Sequence, residues 1–418
     1  MLRFIYTTIY YLCAPLLCLR WVYKSFKPPQ YREPMRERFG LVRRQQTSSI
    51  WIHAVSMGES IAAKTIIEKL LNLKQDLNIV VTTTTPTGAK QIIEGLGDKV
   101  THHYSPCDLP GTIKRFTKRI QPSALVIMET ELWPNWLHHL KSKNIPVVLA
   151  NARMSEKSAQ KYLKFRTLSQ QMMSAFKLVL PVNEKDAKRF IRLGVSPERC
   201  VTTGNIKFDQ VFKSNGDESY FHSWENNPST LVWLAASTHK GEDEILLKAH
   251  QKVLESLPEA KLIIVPRHPE RFDEVSDLVA ELGFSFHKRS QPDTWNDDNQ
   301  VMLGDSMGEL MLAYKLSDIA FVGGSLVPIG GHNMIEPASL GKPVLSGPHV
   351  HNFSEVYREL STQGGAKTVD SVESISAAVT RLMLEQQERQ LMGQKTLAVV
   401  EQSRGALDKT VNQLEPFL

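Results

Sequence analysis

Short apolar runs alternate with longer amphipathic stretches along most of this chain. Ile50–Val55 (IWIHAV), Leu77–Thr83 (LNIVVTT), Ala124–Met128 (ALVIM) and Pro146–Leu149 are compact, mostly apolar and bounded by turn residues. Such runs predict the buried strands of a parallel sheet. Helices are predicted between them. One enters through Ser56-Met57-Gly58-Glu59-Ser60 and runs to about Leu71, a second starts at Pro86-Thr87-Gly88, and a third follows Leu132-Trp133-Pro134. The pattern resumes later with Leu231–Ala235, Lys261–Val265, Gln300–Leu303, Ile319–Val322 and a strand opened by Pro343 after Gly341. Regular alternation of strand and helix predicts an α/β protein with two doubly wound, Rossmann-like domains. From Ser371 to Leu418, Glu, Gln, Lys and Leu at helical spacing predict closing helices packed back across both domains.

In such sheets ligands bind beyond the carboxyl ends of the strands. Glu59, Thr84, Glu129, Glu131 and Asn151 fall at that edge in the first half. In the second half the strand ends lead into Ala236-Ser237-Thr238-His239, Pro266-Arg267-His268-Pro269 and Gly304–Glu309. The fourth strand end opens the richest stretch, IAFVGGSLVPIGGHNMIEPASLGKPVLSGP, from Ile319 to Pro348. There Gly323-Gly324 and Gly330-Gly331 let the backbone approach a ligand closely. Asn333 is predicted to cap a helix starting near Met334. Strand, glycine loop and helix N-terminus together form a layout that presents backbone N–H groups to a phosphate. Glu336 would be repelled by that phosphate and suits ribose hydroxyls instead. An ordinary βα turn accounts for the glycines, but not for His332-Asn333 and an inward Glu336.

Glu59 has two readings. A first-turn glutamate complements the helix dipole, and a carboxylate aimed into a cleft can serve as a general base. Glu129 and Glu131 lie two apart, so one can face the cleft while the other packs or caps a helix. Arg267 and Lys207 have the charge to neutralise a phosphate, against the ordinary surface role of such residues.

The length of 418 residues implies two domains. The four cysteines are scattered and form no CxxC pair, which predicts neither a disulfide framework nor a zinc site. The His-His pairs at 102–103 and 138–139 lack ligand spacing and are expected in surface or loop positions. Charge is uneven. Residues 1–44 hold nine Lys/Arg against Glu33 and Glu37, an excess larger than the net +6 of the whole chain. A local basic segment calls for a local partner such as anionic lipid, not for nucleic acid. Phe4–Leu19 carries no charge. As a helix it reaches about 24 Å, short of a bilayer core of about 30 Å. Counting on through Trp21-Val22-Tyr23 lengthens it, with Arg20 snorkelling. No small-residue cleavage site follows, and the basic residues after it would stay cytoplasmic. A short span and an interfacial helix both fit. The expected division is an anchor over 1–24, a first domain over 25–212, a polar linker over 213–230, and a second domain over 231–418.

Seven blocks occur in order: WIHAVSMGES, TTTTPTG, ETELWPNW, NARMS, GNIKFD, PRHPER and GGSLVPIGGHNMIEPASLGKPVL. Together they closely resemble the bacterial 3-deoxy-D-manno-octulosonic acid (Kdo) transferases over nearly the whole chain. The resemblance implies a GT-B glycosyltransferase fold, with an acceptor domain first, a donor domain second and a cleft between them. It implies transfer of Kdo from CMP-Kdo to the lipid A precursor lipid IVA, at the cytoplasmic face of the inner membrane. No Asp-x-Asp stands at a strand end to hold a divalent ion, so no metal or other cofactor is expected. Residue by residue, it makes Glu59 the general base and assigns Glu129 and Lys207 to transition-state stabilisation. It places CMP against Arg267 and His268, against Met307, Gly308 and Glu309, and against Asn333, Met334, Ile335 and Glu336. The rivals are a GT-B enzyme using a UDP-sugar, and a membrane-tethered nucleotide-binding protein without turnover.

Overall fold

The computed structural model of the chain describes residues 2–25, 35–209, 230–291 and 298–418, with the main chain alone over 17–25. The linker expected at 213–230 lies outside the described residues except for Thr230, as does the basic stretch 26–34. Two compact units are formed, one by Met1–Gln210 with Arg404–Leu418, the other by Val211–Ser403.

The first unit holds a parallel sheet of β1 (Ser49–Ala54), β2 (Ile79–Thr83), β3 (Thr101–Tyr104), β4 (Pro122–Met128), β5 (Val147–Ala152) and β6 (Phe176–Pro181), in the order β3-β2-β1-β4-β5-β6. The order reverses between β1 and β4, and that is where a doubly wound sheet opens a crevice. Alternate residues feed two cores. Trp51, Val80, Leu125, Ile127 and Leu149 face one layer of helices. Ile52, Val81, Val126, Met128 and Val148 face the other, which includes Ala406, Val411 and Leu414 of the last helix. Asp209 fastens that helix, its carboxylate accepting from the N–H groups of Gly405 and Leu407, both at 2.6 Å.

The second unit holds β7 (Val232–Thr238), β8 (Lys261–Pro266), β9 (Phe286–Lys288), β10 (Val301–Leu303), β11 (Ile319–Val322), β12 (Val344–Ser346) and β13 (Ala366–Thr368). All pairs are parallel, in the order β13-β12-β11-β7-β8-β10-β9, with the reversal between β7 and β11. The helix Val372–Leu384 packs on Asp243–Ser256 in this unit, whereas Ala406–Leu414 belongs to the first.

Two expectations are corrected here. His102-His103 is neither loop nor surface. It lies on edge strand β3, where His103 is buried and its Nδ1 is 2.8 Å from Glu37 Oε1. Arg38, counted among the basic residues for lipid, is also buried. It donates to the Ser105 and Thr84 carbonyls and lies over the Tyr104 ring, so it is a structural cation of the first unit.

The helix Leu2–Ser25 is docked by polar groups on one side. Arg3 Nη1 and Thr7 Oγ1 both donate to Asn135 Oδ1, at 3.2 and 3.0 Å. Its opposite side exposes Phe4, Ile5, Ile9, Leu12 and Leu16. Those positions share one face at helical spacing. Among the described residues no helix is long and apolar enough to cross a membrane.

Candidate active site

The crevice between β1 and β4 collects the charged residues of the first unit. β1 runs straight into the helix Met57–Leu73, whose N-cap is Ser56. Glu59 sits in the first turn, is 7% exposed, and folds back on the cap. Its Oε2 accepts from the Val55 N–H at 2.7 Å and its Oε1 from the Ser56 hydroxyl at 3.0 Å. The capping role is thus real, and it also fixes the carboxylate's direction. Burial above all, with the nearby Glu129 charge, raises its pKa.

β4 delivers Glu129 and Glu131. Neither caps the next helix, which starts at Pro134 behind Trp133. Glu129 has φ +57°, a strained conformation for a residue with a side chain. Its Oε1 lies 3.6 Å from Lys207 Nζ and 3.8 Å from Arg153 Nε. Glu131 is half-buried, and burial followed by the Glu59 and Glu129 charges pushes its pKa up to about 7.

Lys207 comes from the short turn Ile206–Asp209. That turn is positioned by Asn151 at the end of β5, whose Oδ1 accepts from the Ile206 N–H at 3.2 Å. Asn151 is itself left-handed, at φ +51°. Asn205 Oδ1 accepts from both Arg153 and Lys207 N–H groups, at 2.9 and 3.1 Å. Gly58 is packed so that a Cβ there would meet Lys207 Nζ at 3.7 Å. Burial lowers the Lys207 pKa and Arg153 adds to that, while Glu129 and Glu59 oppose it. Glu59, Glu129 and Lys207 are therefore brought together, with Glu131, Arg153 and Asn205 added. The last three lie inside the blocks ETELWPNW, NARMS and GNIKFD, but the resemblance gave them no role. Arg153 and Asn205 became site residues only through the pairing of β5 with its neighbours.

The crevice between β7 and β11 is different in kind. Gly323 is needed there because a Cβ would fall 2.6 Å from the Ser237 carbonyl. Ser237 is also held at φ +55°. The expected cradle of free N–H groups is not what the glycine loop offers. Glu242, fully buried at the start of the helix Asp243–Ser256, accepts three of them and the His239 N–H as well. Its Oε2 takes His239 N–H at 2.9 Å and Gly324 N–H at 2.6 Å, and its Oε1 takes Ser325 and Leu326 N–H at 2.9 and 2.8 Å. The N–H groups of Gly330, Gly331 and His332 go to the Gly324 and Gly323 carbonyls. A buried carboxylate and the loop's own carbonyls take what a phosphate was expected to take. Glu242 was not singled out in the sequence, since its partners in the glycine loop lie more than eighty positions away.

The expected helix after Asn333 is also short. It spans only Ile335–Ser339, behind Met334. Asn333 Oδ1 accepts from the Ile335 N–H at 3.1 Å and its Nδ2 donates to Glu336 Oε1 at 3.1 Å. Five residues give little macrodipole. Met334 and Ile335 are buried, so their side chains belong to the core. Glu336 is inward. Burial pushes its pKa up to about 7, against the Asn333 hydrogen bond and the Arg267 charge.

Arg267 and His268 are exposed after β8. His268 packs edge-on against His239, with centroids 5.3 Å apart. His239 lies parallel to His332 at 5.0 Å, with Nε2 to Nε2 at 2.8 Å. Arg267, His268, His239, His332, Asn333 and Glu336 thus form one group. Met307, Gly308 and Glu309 belong to the loop after β10. Met307 is exposed, Gly308 is left-handed, and Glu309 Oε1 is paired with Arg289 at 2.9 Å.

Known proteins match this chain over its length. Residues 33–210 match the family described as 3-Deoxy-D-manno-octulosonic-acid transferase (kdotransferase). The 3-deoxy-D-manno-octulosonic acid transferase of Haemophilus influenzae is 42% identical, over 100% of this chain and 99% of that protein. The Bordetella pertussis protein of the same name is 30% identical, over 100% and 99%. Among solved structures, UDP-GlcNAc 2-epimerase from Neisseria meningitidis superposes with a TM-score of 0.55 at 14% identity, covering 88% of this chain and 100% of that one. At that identity the likeness concerns the fold, which is GT-B-like. The chain belongs to the Kdo transferase family of glycosyltransferases.

Proposed function

We propose that this Kdo transferase moves Kdo from CMP-Kdo to lipid IVA in one inverting step, with Glu59 as general base. In this reading the acceptor is held by the first unit and the nucleotide by the second. The observation that carries it is the charge cluster at the β1–β4 reversal, where Glu59, Glu129, Glu131, Lys207 and Arg153 converge on one crevice. Glu59 takes the proton of the acceptor's primary hydroxyl. The freed oxygen attacks the anomeric carbon as the bond to the phosphate breaks, and the electron pair leaves with CMP. One base and no separate nucleophile give inversion. A raised pKa makes Glu59 a better proton acceptor, and the two anchoring hydrogen bonds keep its carboxylate ionised and aimed. Lys207 and Glu129 form a fixed dipole beside the reacting atoms and stabilise charge developing there. Arg267 and the surrounding histidines meet the phosphate, and Glu336 with Asn333 meets the ribose.

The helix Leu2–Ser25 is proposed to lie in the membrane interface rather than to span it. Its exposed row of Phe4, Ile5, Ile9, Leu12 and Leu16 supports that, as does polar docking of its other side. Exposed basic residues such as Arg36, Arg43 and Arg44 add attraction to anionic lipid at the cytoplasmic face of the inner membrane.

The test is direct. The full chain is incubated with lipid IVA and either CMP-Kdo or a panel of UDP-sugars, and nucleotide release and product mass are followed. Release of CMP with a product heavier by whole Kdo units is expected. Turnover of a UDP-sugar, or no product from CMP-Kdo, would overturn the reading.

A further inference from the structure

The second unit leaves a question of charge. Its glycine-loop amides are engaged by Glu242 and by the loop's own carbonyls, and its short helix adds little dipole. A phosphate bound there draws its charge neutralisation from side chains. Arg267 supplies one fixed charge and already faces Glu336. What remains beside it is a pair of imidazoles joined nitrogen to nitrogen.

Resting on the cytidylate reading above, we propose that the His239–His332 pair is the proton-carrying part of the phosphate site: it takes up one proton as the nucleotide binds and releases it as the nucleotide departs. The geometry sets the stoichiometry. An Nε2–H···Nε2 bond of 2.8 Å needs a donor on one ring and a lone pair on the other. One extra proton on the donor ring leaves that bond intact and makes it charge-assisted. A second proton would remove the acceptor and break it. The pair is thus a one-proton device. It is held against the loop at Gly324, where a Cβ would come within 3.2 Å of His332 Nε2 and 3.4 Å of His239 Cδ2.

Its surroundings keep the pair neutral without a ligand. Burial lowers both pKa values, His332 to about 4, and the Arg267 and His268 charges act in the same direction. Asp243 pulls His239 the other way, but its carboxylate is paired with Arg271. Glu242 is turned to the amides. On the far side, His351 lies against Gly330. A phosphate placed among these groups reverses the balance and raises the pair's proton affinity.

The experiment uses the full chain in detergent and two probes, CMP and its 5′-phosphate methyl ester. The ester is a diester that does not titrate near neutrality. Calorimetry at pH 7 in buffers of different ionisation enthalpy counts protons taken up on binding. Close to one proton per ester is expected, with affinity weakening about fiftyfold to a hundredfold from pH 6 to pH 8. His239→Asn and His332→Gln should each remove most of the uptake and flatten the pH dependence. Glu336→Gln, placed on the ribose and so expected to bind more weakly, should keep the uptake per bound ester and the pH slope. Ester binding without uptake would overturn the inference and leave the cytidylate reading standing. So would uptake that survives both histidine variants and disappears in Glu336→Gln. If neither probe binds, both readings fall. Should a histidine variant not fold, imidazole 15N shifts of the unmodified protein decide. A ring turning to imidazolium when the ester is added supports the proposal, and rings that stay neutral overturn it.

Discussion

The two units share one architecture and line it with contrasting side chains. Each is a parallel sheet with a reversal of strand order, and in each the polar residues gather beyond the strand ends at that reversal. In the first unit the acids face the crevice. Glu59, Glu129 and Glu131 stand there with Lys207 and Arg153 among them. In the second unit two acids are turned inward. Glu242 holds four backbone amides and Asp243 holds Arg271, so imidazoles and Arg267 are left facing out. Topology fixes where each site is. Which charges the loops leave uncovered decides what it does. A basic carboxylate cluster suits proton removal, and an arginine beside imidazoles able to take up a proton suits an anion.

The comparison breaks most readily at Glu59. Glu59→Gln should lower kcat at least about a hundredfold with the KM for CMP-Kdo within a few-fold of normal. A mutant whose loss lies in donor KM would erase the proposed division of labour. Lys207→Met should cost about tenfold to a hundredfold in kcat, again with little change in donor KM.

Glu242→Gln probes the other unit. A glutamine places an NH2 where an oxygen accepted two amide protons, at a cost of about 3 kcal/mol. The melting temperature should fall by roughly 5–10 °C, and CMP affinity should fall while the acceptor still binds. Unchanged melting would show that those four amides find other partners easily.

Glu131 sharpens the contrast through pH. Its carboxyl titrates at about 7 in the folded protein against an ordinary 4.5. The folded state therefore holds the extra proton between those values, and stability declines as pH rises through that window. Glu131→Gln should remove the decline, so the variant gains over the parent at pH 8 and not at pH 4. Thermal melts at both values test the sign. The smallest effect is expected at Leu12→Asp, which should weaken binding to anionic vesicles several-fold and leave turnover of detergent-dispersed acceptor unchanged.

Much of this was legible in the sequence. β1, β4, β7 and β11 are apolar runs that stop at abrupt polar or glycine signals, and they are the strands that frame the two reversals. The edge strands were harder. Thr101–Tyr104 carries two histidines, and Ala366–Thr368 buries only its alanine, so neither shows an apolar signature. Apart from the inward Glu336, burial of charge was not legible. Arg38 and Glu242 are written like surface residues, and only the long-range contacts around them show otherwise. His239 and His332 lie 93 positions apart, and no local pattern announces that their nitrogens meet. The resemblance to known transferases named most of the site, but not Glu242, Arg153 or the imidazole pair.

The last helix has a consequence for anyone dissecting this protein. Because Arg404–Leu418 completes the unit that begins at the amino terminus, the second unit is one uninterrupted insert, and the first is encoded by two separate stretches. A gene cut after residue 210 would yield a product lacking Ala406, Val411 and Leu414, with part of its apolar interior left bare. Residues 211–403 can be lifted out as a single cassette. A faithful version of the remainder needs its two stretches spliced by a short bridge, and Asp209, already clasping Gly405 and Leu407, marks where to join them.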